Sequence, residues 1–168
     1  FSGTQQDLQK SPISLNFAAK EFEEQQNLRS LQFSGLARGI GSEFNLRGIT
    51  IVIPIFNAYE ELRSCLQSVI EYTSMDARLL LIDDASTDER ISSLLEWAAT
   101  YINIDVVRNE QNLGYTKTID RGIELAGDND IVLLNSDTMV GPRWLQNLKI
   151  AAYHDADIAT VTAMSDNA

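Results

Sequence analysis

An α/β domain, with a mostly parallel sheet covered by helices on both faces and preceded by an N-terminal helix, is the fold class this sequence predicts. Three observations lead there. From Ile49 onward, short apolar runs alternate with helical stripes, as in consecutive βα units. The runs are apolar at successive positions, which marks strands buried on both faces. Several of them stop at Asn, Asp or Ser, residues suited to the loops beyond strand ends.

The elements follow in order. Residues 1–10 are polar. Ser11-Pro12 reads as an N-cap followed by Pro at the first helical position. Leu15, Ala18, Ala19 and Phe22 then keep the spacing of one helix face, and the helix is expected to reach about Leu36. Arg38–Gly48, with three glycines, reads as a linker, so residues 1–48 form a helical extension and 49–168 the α/β domain. Ile49–Ile53 is the first strand, ending at Pro54. Leu62, Cys65, Leu66, Val69 and Ile70 make a helical stripe. Leu79–Ile82 is the second strand. Ser86-Thr87-Asp88-Glu89 resembles a helix cap, and Ile91, Leu94, Leu95 and Ala98 form the next stripe. A third strand spans Ile104–Val107, and a helix from about Tyr115 to Ala126 is closed by Gly127. Ile131–Leu134 is the fourth strand. Pro142 opens a helix carrying Trp144, Leu145 and Leu148, and Ile158–Met164 is expected as a fifth strand.

The totals narrow the function. The chain has 168 residues, enough for one domain with a sizeable core. Its net charge of −11 is uneven: residues 1–48 hold five basic and five acidic side chains, and residues 49–168 hold eight basic and nineteen acidic. So acidic a surface argues against nucleic acid as a partner, and suits a site that recruits a divalent cation to carry an anionic ligand. No apolar run approaches the ~20 residues that span a bilayer, and no signal peptide is visible. The chain begins at Phe1, which reads as a piece cut from a longer protein. Cys65 is the only cysteine and sits among apolar helix positions, as an inert core thiol would. The single His154 cannot build a multi-histidine metal site.

In sheets of this class, ligands bind beyond the carboxyl ends of the strands. Those ends carry Pro54-Ile55-Phe56-Asn57, Asp83-Asp84, Arg108-Asn109 and Asn135-Ser136-Asp137. Each alone reads as turn chemistry, but two acid-bearing ends facing one crevice would repel unless a cation or hydrogen-bond donors compensated. There is no G-x-x-x-x-G-K-[ST] P-loop, no G-x-G-x-x-G after the first strand and no G-x-S-x-G elbow. Without a glycine-rich cradle, an Asp-held divalent ion is the expected neutraliser of a bound diphosphate.

Four segments then carry a resemblance. Ile51-Val52-Ile53-Pro54-Ile55-Phe56-Asn57 resembles V-I-P-x-Y-N, and Leu81-Ile82-Asp83-Asp84-Ala85-Ser86-Thr87-Asp88 resembles V-D-D-G-S-T-D. Asn112-Leu113-Gly114-Tyr115 with Asp120-Arg121-Gly122-Ile123 resembles N-x-G-x-x-x-A-x-N-x-G, and Leu133-Leu134-Asn135-Ser136-Asp137 resembles the metal-binding D-x-D. In this order, they are the motifs of the first part of the family 2 glycosyltransferases, which have the GT-A fold. The first 48 residues lie outside the resemblance.

The resemblance implies a nucleotide-sugar-binding GT-A domain at 49–168, truncated at its C-terminus. Pro54, Ile55, Phe56 and Asn57 would line the nucleotide pocket, Phe56 keeping a ring beside the base where the family has Tyr. Asp84 would accept a hydrogen bond from base or ribose. Asp137, with Ser136 beside it, would hold the Mn²⁺ or Mg²⁺ that bridges the donor diphosphate. Asn135 stands at the first acidic position of that motif, so it would contact sugar or ribose, or bind the metal through water. Lys117 would reach a phosphate, and Asp120 replaces a usual Asn. The implied reaction is inverting transfer of a sugar from a nucleotide diphosphate sugar to a hydroxyl of a saccharide or lipid-linked acceptor, in polysaccharide or glycoconjugate synthesis. It places the protein in the cytoplasm, with peripheral membrane contact where the acceptor is lipid-linked. The catalytic base would lie beyond Ala168, which leaves Asp155, Asp157 and Asp166 without that role. One alternative stays open, a catalytically inactive nucleotide-sugar-binding or scaffold domain of a larger protein. A receiver domain would need its acidic pair earlier in the chain, and a nucleotidyltransferase would need a glycine-rich basic loop at Ile55–Tyr59.

Overall fold

The structure is a computed structural model, and it describes residue 46 and residues 48–164. The expected helix at 11–36 lies outside the described residues. Leu46 does not: within the stretch read as a linker, it is fully buried in the domain core, and its carbonyl accepts from the Ile49 amide at 3.3 Å.

Strands and helices alternate as the pattern predicts: β1 (Ile49–Ile55), α1 (Tyr59–Tyr72), β2 (Arg78–Asp83), α2 (Glu89–Ala98), β3 (Ile104–Arg108), α3 (Tyr115–Ala126), β4 (Asp130–Leu133) and α4 (Trp144–Ala152). The four strands form one sheet in the order β3-β2-β1-β4, and every pairing is parallel. β1 is buried along its whole length, as the unbroken apolar run required.

Side chains of a strand alternate between faces, and two cores result. On one face Ile49, Ile51, Ile53 and Ile55 of β1 and Leu79 and Leu81 of β2 meet the apolar stripes of α1 and α2 and Leu145 of α4. On the other, Val52, Leu80 and Ile82 meet Ile119 of α3. The second core is thin because α3 lies close to the sheet. A Cβ on Gly122 would come within 2.4 Å of Val52, so only glycine permits that approach. α2 starts within the segment read as its cap, two residues later than a Ser86 cap would place it: the Asp88 carboxylate accepts from the Arg90 amide, and Ser86 Oγ accepts from Asn57 instead.

The expected fifth strand is a correction. Residues 158–164 form no strand, and Met164 is wholly exposed. The run Ile-Ala-Thr-Val-Thr-Ala-Met has β propensity, but a strand exists only by pairing, and among the described residues this segment enters no ladder. β4 is accordingly an edge strand, with Leu133 48% exposed.

Candidate nucleotide site

Strand order reverses at β1, with β2 on one side and β4 on the other. That is the switch point beyond which α/β sheets bind ligands. Pro54 shapes it. The Val52 carbonyl accepts from Leu134 on the β4 side and the Ile55 carbonyl from Asp84 on the β2 side. Alternation therefore aims the nitrogen of Pro54 toward β4, where the ladder has already ended at Val52–Leu133. A proline belongs there because no N–H is needed, and beyond it β1 and β4 are free to part. Phe56 follows at the rim, its ring 49% exposed.

Asn57 works differently from a simple pocket lining. Its φ is +57°, and the next residue, Ala58, has +54°. The Asn57 side-chain oxygen accepts from the amides of Thr87 at 2.8 Å and Asp88 at 3.1 Å, while its own amide donates to Ser86 Oγ at 2.8 Å. Asn57 thus clamps the loop after β1 to the loop after β2. Asn is among the few non-glycine residues that tolerate this backbone and can also accept hydrogen bonds locally.

Asp83 and Asp84 face opposite sides of the sheet, so the pair does not repel as one cluster. Asp83 is buried and paired with Arg108, and it accepts from the Ser86 amide at 2.9 Å. The Arg108 guanidinium also donates to the Ser86 carbonyl at 2.8 Å. Asp84, 4% exposed, is held by Asn109 Nδ2 at 2.7 Å, the Leu113 amide at 2.8 Å and the Gly114 amide at 2.9 Å. Burial by itself would raise the Asp84 pKa. Hydrogen bonds from Leu113, Asn109, Gly114 and Thr118 outweigh burial and hold it below the usual carboxylate value. The Asn109 and Leu113 donors fall on Oδ1 and the Gly114 amide on Oδ2.

The loop after β4 is more open. Asn135 and Asp137 are exposed and Ser136 is half-buried. The turn is closed by Thr138, whose amide donates to the Asn135 carbonyl at 3.1 Å. The Asn135 side-chain oxygen accepts from the Tyr115 hydroxyl at 2.9 Å. Beneath the turn lies Cys65, buried as expected. Its thiol is pushed up to about 12 by burial and by the charge of Asp137, so it is inert. Lys117 is exposed in the first turn of α3. No cluster of three or more His, Cys, Asp or Glu occurs among the described residues. A cation here would have to share its shell with ligand oxygens and water. That is how Mg²⁺ ordinarily binds, through one or two carboxylates plus substrate phosphates.

The sequence therefore placed the four strand ends to within one or two residues and named Arg108, Asn109 and Ser86 without the holding roles they have, while Thr118 was missed. Tyr115 had a signal, the aromatic after Asn112-Leu113-Gly114, to which no role was attached. A hollow of about 430 Å³ lies elsewhere, against Ile150, His154 and Ile158. The neighbouring Tyr153 bonds to Asp130 at the start of β4, so this hollow belongs to the amino-terminal edge of the sheet.

A parallel sheet whose order reverses at β1, with polar side chains at its strand ends, defines an α/β domain of the class that binds ligands beyond the carboxyl ends of its strands. Comparison with known proteins gives the family. The model of glycosyl transferase family 2 matches residues 50–168, and the chain belongs to that family. The glycosyltransferase YibD of Escherichia coli K12 is 28% identical over 116 residues, 68% of this chain and 33% of its own length. The poly(ribitol-phosphate) beta-glucosyltransferase of Bacillus spizizenii is 29% identical over 96 residues, 55% of this chain and 15% of its own. Among solved structures, GalNAc-T7 with UDP, GalNAc and Mn²⁺ is similar at a TM-score of 0.56 and 25% identity, covering 63% of this chain and 21% of that one. S. aureus TarS in complex with UDP-GlcNAc superposes at 0.57 with 20% identity, which shows the shared GT-A fold; it covers 63% of this chain and 32% of that one. The chain spans about a third or less of these relatives. No helix among the described residues is long and apolar enough to cross a membrane.

Proposed function

We propose that the crevice between β1 and β4 binds a nucleotide diphosphate sugar, and that the protein transfers its sugar with inversion to a hydroxyl of a glycoconjugate acceptor. The observation that carries this reading is the end of β1–β4 pairing at Val52–Leu133, just before Pro54 and at the point where strand order reverses, with exposed Phe56 following β1 and exposed Asp137 following β4. Phe56 would stack on the base. Asp84 would accept from base or ribose. Asp137 would hold a divalent ion together with the donor phosphates, and Asn135 would meet that ion through water. Lys117 would approach the diphosphate from the first turn of α3. When bound, the ion would offset charge building on the leaving diphosphate. Similarity to proteins solved with UDP, GalNAc and Mn²⁺ and with UDP-GlcNAc supports the ligand class. The acceptor must lose its proton to a base, and we assign that role to no described residue. The single acid of the Asn135-Ser136-Asp137 turn also favours a second reading, a domain that binds the donor without turning it over.

Calorimetry tests the site. UDP, GDP and dTDP are titrated with Mn²⁺ and with EDTA, into the wild type and Asp137→Ala. One nucleotide should bind in Mn²⁺, and the substitution should abolish that binding. A folded sample that binds none of them overturns the donor site. Binding without sugar transfer by the full-length protein leaves the second reading in place.

A further inference from the structure

Tyr115 opens α3 at the end of a loop fixed from behind. Leu113 and Gly114 just before it donate their amides to buried Asp84, and Asn112 Oδ1 also accepts from the Gly114 amide at 3.0 Å. Gly114 has a φ of +82°, which turns the chain sharply into α3. Tyr115 is 58% exposed, too open for its ring to serve as core packing. Its hydroxyl nevertheless reaches Asn135 Oδ1 at 2.9 Å, across twenty residues of sequence. The main chain of Asn135 is held separately: its carbonyl accepts from Thr138 at 3.1 Å and faces Cys65 Sγ at 3.6 Å. Asn135 is therefore gripped by its side chain from α3 and by its backbone from α1 and the turn. Asp137, two residues on, is exposed, and among the described residues no hydrogen bond reaches its carboxylate.

From these contacts we propose that Tyr115 is the positioning residue of the site. Its hydroxyl clasps Asn135 and so sets the turn that presents Asp137 to the diphosphate-bound cation. The proposal rests on the donor-site reading above. It also gives Asn135 a distinct task. With its oxygen committed to Tyr115, the amide serves as the far half of the clasp, and a carboxylate there would not be required for holding the turn.

Two measurements test this on the intact chain. Native-state amide exchange reads the turn without any ligand. Tyr115→Phe should raise exchange at Thr138 several-fold, Asn135→Leu should do the same, and the double variant should add nothing further. Asn135→Asp, which keeps an acceptor, should stay protected. The second measurement is the affinity of the calorimetrically identified nucleotide with Mn²⁺. Tyr115→Phe should weaken it about fivefold, the factor carried by one neutral hydrogen bond, with an unchanged melting temperature. Unchanged exchange at Thr138 in Tyr115→Phe overturns the clasp whether or not nucleotide binds. Lost protection with wild-type affinity overturns the positioning role. A wild type that binds no nucleotide overturns the donor reading, and the exchange data alone then decide the clasp.

Discussion

At the ends of β1, β2 and β3 the polar side chains hold one another. Asn57 clamps two loops, Asp83 pairs with Arg108, and Asp84 takes three donors from the loop ahead of α3. At the end of β4 the Asp137 carboxylate is exposed, and its turn is held through Asn135. The difference follows burial rather than place in the sheet, since β3 and β4 are both edge strands. Asp83, Asp84 and Asn109 are buried, so each must find a partner or stay unpaired. Asp137 is exposed, and solvent serves it equally well. A rigid platform beside an open turn suits a ligand whose one end is recognised by shape and whose other end arrives with its own cation.

The comparison breaks most severely at Asp84. Asp84→Ala takes an acceptor from Asn109 Nδ2 and from the Leu113 and Gly114 amides; Asn109 keeps Thr118 Oγ1 and Gly114 keeps Asn112 Oδ1, while the Leu113 amide loses its partner. The substitution should cost about 3 kcal/mol in urea unfolding, and it should loosen the Leu113–Tyr115 loop. The pH dependence has a definite sign. The Asp84 pKa is depressed in the folded state, so its contribution is complete above the unfolded carboxylate value of about 3.9 and is lost as pH falls through the folded value. The stability gap between wild type and Asp84→Asn should therefore be full at neutral pH and close progressively in acid. A gap independent of pH would show that the carboxylate charge is not what holds the loop.

Gly122→Ala attacks the same platform from below. The new methyl would meet Val52 at 2.4 Å, where the sheet cannot yield easily. Overpacking of this kind should cost roughly 2 kcal/mol. It should also shift α3, and with it Thr118 and Tyr115, without touching any polar group of the site. Chemical shifts that move at the Asn135 turn as well as along α3 would show that the two halves communicate through the helix. Shifts confined to α3 would separate them.

Asn57→Ala should cost about 1.5 kcal/mol, from two lost acceptor contacts and an alanine forced to positive φ. Asn57→Gly should recover the backbone part alone. The two variants thus weigh clamp against conformation.

How far the sequence carried can be judged on these residues. The strand ends were legible because apolar runs stopping at Asn57, Asp83-Asp84 and Asn135 are local signals, read within one turn of the chain. Pro54 was legible as a strand end, yet β1 continues to Ile55, because only the pairing shows that the nitrogen of Pro54 faces the gap beside β4. The partners of Asp84 lie twenty-five to thirty residues away, at Asn109, Leu113 and Gly114. Nothing in a linear pattern says that a carboxylate will spend its lone pairs on a loop that far downstream. The same holds for Ile158–Met164, whose residues prefer a strand while the choice of partner is a property of the assembled sheet. Composition chose the class, local punctuation placed the ends, and long-range hydrogen bonding decided which end is rigid.

The smallest expected effect is also the most informative. Asp137→Ala should change unfolding free energy by less than about 0.5 kcal/mol, the usual range for an exposed side chain away from structural contacts. The sign should lean toward stabilisation, since the domain carries an excess of acid and one fewer carboxylate lowers self-repulsion. Yet the same substitution should abolish Mn²⁺-dependent nucleotide binding. A residue that contributes nothing to the fold and everything to the ligand is the counterpart of Asp84, whose loss should unseat the loop first and binding only through it. If Asp137→Ala proved as destabilising as Asp84→Ala, the turn after β4 would be part of the platform, and the division between a rigid and an open half of this edge would fall.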